Sequence, residues 1–191
     1  AYTNRGTTYG RKGHMDKAIE DHNKAITLDP NLANAYCNRG IVYKNKGQLN
    51  RAMEDYNRAI NLNPYFCEAY VNRGNLYWMK GQYDRSIDDF NKAISLDPNM
   101  AEAYHGRGIA NDMRGQQDRA LEDFNKAISL DPSFANAYSS RGIVYQNKGQ
   151  IDRAIADHTS AISLNPNDAR HYCNRSSAYV LKGRYDQAIE D

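Results

Sequence analysis

The sequence predicts an all-α fold, a stack of repeated helix hairpins (an α-solenoid). Three observations carry this. The five prolines of the 191-residue chain, Pro30, Pro64, Pro98, Pro132 and Pro166, stand 34 residues apart throughout. Eleven of the thirteen glycines fall at two fixed positions of the same period. The stretch before each proline carries apolar residues at helical spacing. A fixed period in this range marks a repeat architecture, in which each unit buries its apolar face on the next. With proline at position 32, the units are 1–32, 33–66, 67–100, 101–134, 135–168 and a truncated 169–191, read as one array.

The first helix of each unit begins just after the proline. Asn31, Asn99, Ser133 and Asn167 stand at position 33, where a short polar side chain can cap a new helix; Tyr65 is the exception. Position 8 is Gly6, Gly40, Gly74, Gly108 and Gly142, with Ser176 in the last unit. Glycine inside a helix costs roughly 1 kcal/mol against alanine, so its recurrence implies close approach of a partner helix. The first helix closes at Gly13, Gly47, Gly81, Gly115, Gly149 and Gly183, where a left-handed residue can satisfy the last carbonyls. Three residues on, Asp16, Asn50, Asp84, Asp118, Asp152 and Asp186 are read as N-caps of the second helix. That helix presents a stripe such as Ser86, Ile87, Phe90, Ala93, Ile94 and Leu96, then stops before Asp-Pro or Asn-Pro. One hairpin cannot bury its apolar surface alone. A stack can.

Composition narrows the function. A net charge of +2, from 25 basic and 23 acidic residues, has no nucleic-acid footprint and no polybasic membrane signal. No apolar run approaches the roughly 20 residues that cross a bilayer. Cys37, Cys67 and Cys173 are odd in number and lack metal-like spacing, so a reducing, cytoplasmic setting is expected. His22 and His158 occupy the aromatic slot of the second helix and are read as packed; His14 lies in a turn, and His105 and His171 stand alone. No catalytic constellation, metal set or phosphate-cradling glycine loop is present, so neither an enzyme nor a cofactor is expected.

These residues resemble a tetratricopeptide repeat (TPR) array over essentially the whole chain. The resemblance rests on Tyr2, Tyr36, Tyr70, Tyr104, Tyr138 and Tyr172 at position 4, and on the position-8 glycines. It rests further on Tyr9, Tyr43, Tyr77, Tyr145 and Tyr179 at position 11, with Asn111 departing, and on the small residues at positions 20 and 27. It implies a right-handed superhelix of antiparallel helix pairs, whose first helices line a concave groove that holds an extended peptide or partner helix.

Position 7, commonly leucine in that family, is arginine in every unit, and position 23 is aspartate. Arg39, Arg73, Arg107 and Arg141 are expected to pair bidentately with Asp55, Asp89, Asp123 and Asp157. The other reading, a basic ladder facing an acidic ligand, is disfavoured because position 7 points at the helix pair.

Positions 2, 5, 9, 12 and 13 face the groove in the family, with position 6 at its edge. Asn4, Asn38, Asn72 and Asn174 stand at position 6, broken by Gly106 and Ser140. This resembles the asparagine ladder of the glycosyltransferase that puts N-acetylglucosamine on serine and threonine, and suggests a grip on a peptide backbone through Asn4, Asn38 and Asn72. Solvation on the helix surface is the alternative. Selectivity is expected from Val71, Asn75, Trp78 and Met79 in one unit and His105, Ile109 and Met113 in the next. Trp78 could instead pack locally on Met79 or Met113. A carboxylate clamp for chaperone tails is disfavoured, since position 5 holds no lysine.

The expected function is therefore a non-enzymatic module that binds an extended protein or peptide segment, with no nucleic-acid or membrane partner. An architectural or self-assembling scaffold, and the targeting arm of a larger enzyme, remain open. The chain opens inside a first helix and stops inside a second, so it reads as an excised segment of a longer protein whose ends favour end-to-end self-association.

Overall fold

The computed structural model describes residues 1–191, all of them in helices and short connections. The residues fall into two compact units, Ala1–Pro98 and Asn99–Asp191, each considered by itself. The first holds α1 (Tyr2–Arg11), α2 (Met15–Leu28), α3 (Ala33–Asn45), α4 (Leu49–Leu62), α5 (Cys67–Met79) and α6 (Tyr83–Leu96). The second holds α7 (Ala101–Met113), α8 (Gln117–Leu130), α9 (Ala135–Asn147), α10 (Ile151–Leu164), α11 (Ala169–Leu181) and α12 (Tyr185–Glu190). Within each unit, consecutive helices pair as hairpins and each hairpin packs on the next.

Small residues let the helices close on one another. Ala35, Ala52, Ala59, Ala69 and Ala93 are fully buried in the first unit, as are Ala103, Ala120, Ala127, Ala137, Ala154 and Ala161 in the second. The position-8 glycines make room for the ring of the second helix. A β-carbon on Gly142 would lie 2.6 Å from His158 Cε1, and one on Gly108 would lie 2.7 Å from Phe124 Cε1. At Gly74 the nearest atom, Phe90 Cε1, is 3.1 Å away. Gly142→Ala is therefore expected to lose about 2 kcal/mol, since overpacking outweighs the better helix propensity of alanine. Gly74→Ala should come out near zero. Urea midpoints of the two variants check that order.

The turns keep the predicted glycine role and correct the predicted caps. Gly47 and Gly149 have φ of 75° and 72°, a region that glycine enters without a β-carbon penalty. The amide of the next residue then reaches back to the tyrosine carbonyl five residues earlier, as in Gln48 N–H to Tyr43 O at 2.8 Å. Position 33 caps no helix. The helices after the prolines start two residues later, behind Leu32, Phe66, Met100, Phe134 and Asp168, and only Asp168 caps with its side chain. The residue before proline does the local work instead: Asp29, Asn63 and Asp131 accept the backbone amides of Asn31, Tyr65 and Ser133 at 2.9 to 3.1 Å. A backbone donor is indifferent to its side chain, which explains why Tyr65 is tolerated there.

The second-helix caps shift in the same way. His14, Gln48, Gln82, Gln116, Gln150 and Arg184 hold the N-cap place, without side-chain caps. Asp16, Asp118 and Asp152 sit inside the first turn, where a carboxylate complements the helix dipole. They also take the lysine that ends the next repeat's first helix: Lys46 with Asp16, Lys148 with Asp118 and Lys182 with Asp152.

The Arg–Asp ladder is a clasp with three grips. Arg73 donates from Nε and Nη2 to the two carboxylate oxygens of Asp89, each at 2.7 Å. Its Nη1 reaches Asn57 on the previous hairpin at 2.8 Å. Tyr70 and Tyr77 flank the guanidinium, with centroids 5.6 and 5.8 Å away. Arg39 pairs with Asp55 and Arg141 with Asp157 in the same geometry, reaching Asn23 and Asn125 behind them. Arg107 holds Asp123 with one tyrosine, Tyr104, beside it. Asn111 replaces the second ring and donates to Asp123 Oδ2 at 3.0 Å.

Candidate peptide groove

In the second unit the first helices α7, α9 and α11 present one face side by side, and an open cavity of about 550 Å³ lies along it. Its residues come from repeat positions 2, 5, 6 and 9, with positions 1 and 3 added on α11. His105 and Ile109 stand on α7, Ser139, Ser140 and Ile143 on α9, and Arg170, Cys173 and Asn174 on α11. Helical spacing puts residues three and four apart on one face, so a repeat every 34 residues stacks these positions into a line.

The polar groups of this face are stitched between neighbouring helices. His105 Nε2 lies 3.0 Å from Ser140 Oγ, and Asn174 Nδ2 donates to Ser139 Oγ at 3.1 Å. Each stitch joins position 5 of one repeat with position 6 of another. The first unit has a longer, weaker counterpart, Asn72 Nδ2 to Cys37 Sγ at 3.9 Å. His105 also packs on Phe134 and Phe124, with centroids 4.8 and 5.7 Å away. Burial among these rings holds its pKa down to about 4, so it is neutral at ordinary pH. Arg170, at the rim, is gripped by Asp168 through Nε at 2.9 Å and Nη2 at 2.5 Å. That pairing pulls the Asp168 carboxyl down to about 2.

The sequence-predicted residues divide between the two units. His105 and Ile109 line the cavity. Met113 ends α7, 53% exposed, and does not line it. Val71, Asn72 and Asn75 are half-buried on α5, where Trp78 and Met79 are 38% and 51% exposed. Asn4 is exposed on α1 and Asn38 half-buried on α3. Asn72 differs from a free ladder member, because its amide nitrogen also donates to Glu68 O at 2.8 Å. Ile143, Ser139 and Cys173 were absent from the predicted site, although they hold the same repeat positions as Ile109 and His105. Reading position 9 down the whole chain would have found Ile143.

Profiles described as tetratricopeptide repeat match residues 67–100, 135–168 and 159–190, and one described as TPR repeat matches 6–47, 42–81 and 113–149. The chain belongs to the tetratricopeptide repeat family. Among solved structures, MamA is 32% identical with a TM-score of 0.71, over 86% of this TPR chain and 96% of that one. A tetratricopeptide repeat protein from Parabacteroides merdae is 28% identical with a TM-score of 0.80, over 99% of this chain and 74% of that one. YrrB, described as a TPR protein with an unusual peptide-binding site, is 25% identical with a TM-score of 0.67, over 90% and 89% of the two chains. No curated protein matches the chain.

The fold is thus an all-α TPR solenoid, and the chain is a protein–protein interaction module of a family whose members are generally non-catalytic scaffolds. No helix is long and apolar enough to cross a membrane, and no cluster of three or more metal-ligating side chains is present.

Proposed function

We propose that this TPR array binds an extended segment of a partner protein along its first helices, without catalysing a reaction, and that the α7–α9–α11 groove is the principal seat. The observation that carries this is the cavity of about 550 Å³ built from the repeat positions that also carry the Ile109 and Ile143 side chains. Ile143 is 39% exposed inside a concave face, an arrangement that favours a contact site over a merely solvated surface. The stitches between His105 and Ser140 and between Asn174 and Ser139 pre-organise the wall, which lowers the ordering cost of binding. The peptide-binding site described for YrrB supports the same class of ligand. Val71, Asn75 and the asparagines Asn4, Asn38 and Asn72 hold the corresponding repeat positions of the first unit and extend the proposal there, with the exposed Trp78 and Met79 at the end of α5 beside them.

A reducing, cytoplasmic setting belongs to the same proposal. All three cysteines are free thiols, and burial pushes Cys37 up to about 12, which keeps it an unreactive thiol.

Selection of a displayed library of unrelated peptides tests the groove. Wild-type protein should enrich a peptide family, and Ile143→Lys, which places a charge in the groove at an already exposed position, should lose it by about tenfold or more with an unchanged circular dichroism spectrum. Equal binding by the variant would move the working surface elsewhere.

A further inference from the structure

The one guanidinium along the groove is already paired. Arg170, its side chain 75% exposed, is the one arginine lining it, and Asp168 holds that guanidinium through both oxygens, so the pair is neutral as a unit. No carboxylate lines the cavity. The hydroxyls of Ser139 and Ser140 are engaged by Asn174 and His105. Between the asparagines Asn136 and Asn174, the open surface is mostly apolar: Ile109 from α7, Ile143 from α9, and Ala169 with the Cys173 thiol from α11.

We infer that the α7–α9–α11 groove selects an extended segment that inserts an uncharged, aliphatic side chain between Ile109 and Ile143, and that it rejects a carboxylate or an ammonium at the same place. This rests on the peptide-groove reading above and deepens it. A charged side chain entering between the isoleucines gives up its water and meets no lining carboxylate and only a guanidinium that Asp168 already pairs, so either sign is penalised. An aliphatic side chain gives up little hydration and covers the two isoleucines. Neighbouring packed helices lie about 8–10 Å apart, so three first helices span roughly 20 Å. That is room for about six extended residues. Asn136, at the first turn of α9, and Asn174 stand beside the isoleucines, where their amides can meet the backbone of such a segment without regard to its sequence.

The test uses the full chain and three blocked hexapeptides identical except at one central position, which is leucine, aspartate or lysine. Amide and methyl NMR shifts are followed during each titration. The leucine peptide should saturate shifts at Ile109, Ile143 and Asn174, with the aspartate and lysine peptides weaker by about tenfold or more. An Ile143→Asp variant should turn the preference toward the lysine peptide. Aspartate or lysine binding as tightly as leucine at those same residues would overturn the aliphatic selection while leaving the groove as a peptide site. No shift at any groove residue with any of the three peptides would overturn both.

Discussion

Asp89→Ala should destabilise the first unit by about 3 kcal/mol or more, the largest loss expected from a single side chain here. The Asp89 side chain is 8% exposed and accepts two short bonds from Arg73. Removing it leaves a guanidinium with only 19% of its side chain exposed and no opposite charge within reach of its forked donors. Asn57 and the two tyrosine rings remain, but neither supplies a counter-charge. Arg73→Leu combined with Asp89→Ala should recover most of the loss, because an apolar pair of similar volume is often as stable as a buried ion pair. Urea denaturation of both single variants and the double variant gives the coupling directly. A loss below about 1 kcal/mol for Asp89→Ala would reduce the ladder to an ordinary surface pair.

Acid should loosen the array well before its carboxylates are neutralised. His22 and His158 are fully buried in the slot that holds Tyr56, Phe90 and Phe124 elsewhere, and neither ring nitrogen of either histidine has a partner. Burial lowers the pKa of both, His158 to about 4. An unfolded histidine titrates near 6.5, so between that pH and about 4 the unfolded chain binds a proton that the folded chain refuses. Stability is full above about 6.5 and falls as pH drops through that window. The difference at His158 corresponds to on the order of 3 kcal/mol, with a further loss from His22. His158→Phe restores the ring found at Phe90 and Phe124 and should flatten the slope. Thermal midpoints between pH 7 and pH 4.5 check both statements; a pH-independent midpoint in the wild type would contradict them.

Much of the fold was legible because repetition multiplies weak signals. One glycine before a ring says little, but Gly40, Gly74, Gly108 and Gly142 facing Tyr56, Phe90, Phe124 and His158 describe a packing rule. The Arg–Asp ladder was legible for the same reason, since Arg73 and Asp89 recur with a constant separation of 16 residues. Helix starts were less legible. Asn31 and Asp16 have the chemistry of caps, yet the backbone turn at Asp29 delays one helix, and the lysine-paired Asp16 lies a residue inside the other.

The candidate groove was half legible. His105 and Ile109 stood out by type, while Ile143 looked like an ordinary helix residue and gains its meaning only from α7 and α11 beside it. The asparagine ladder shows the opposite problem. Its spacing suggested a free row of amides, but Asn72 and Asn174 donate to neighbouring repeats, so their donors are partly engaged within the protein. His171 stands out in the sequence only by departing from the alanine of every other unit; that its ring is buried without a hydrogen-bond partner shows only in the structure.

The most direct test of the central claim is amide hydrogen exchange of the full chain with and without a peptide taken from the library selection. Added protection along α7, α9 and α11, centred on the Ile109, Ile143 and Asn174 turns and absent from α8 and α10, is the predicted result. Protection confined to second helices, or to the connections between hairpins, would contradict it.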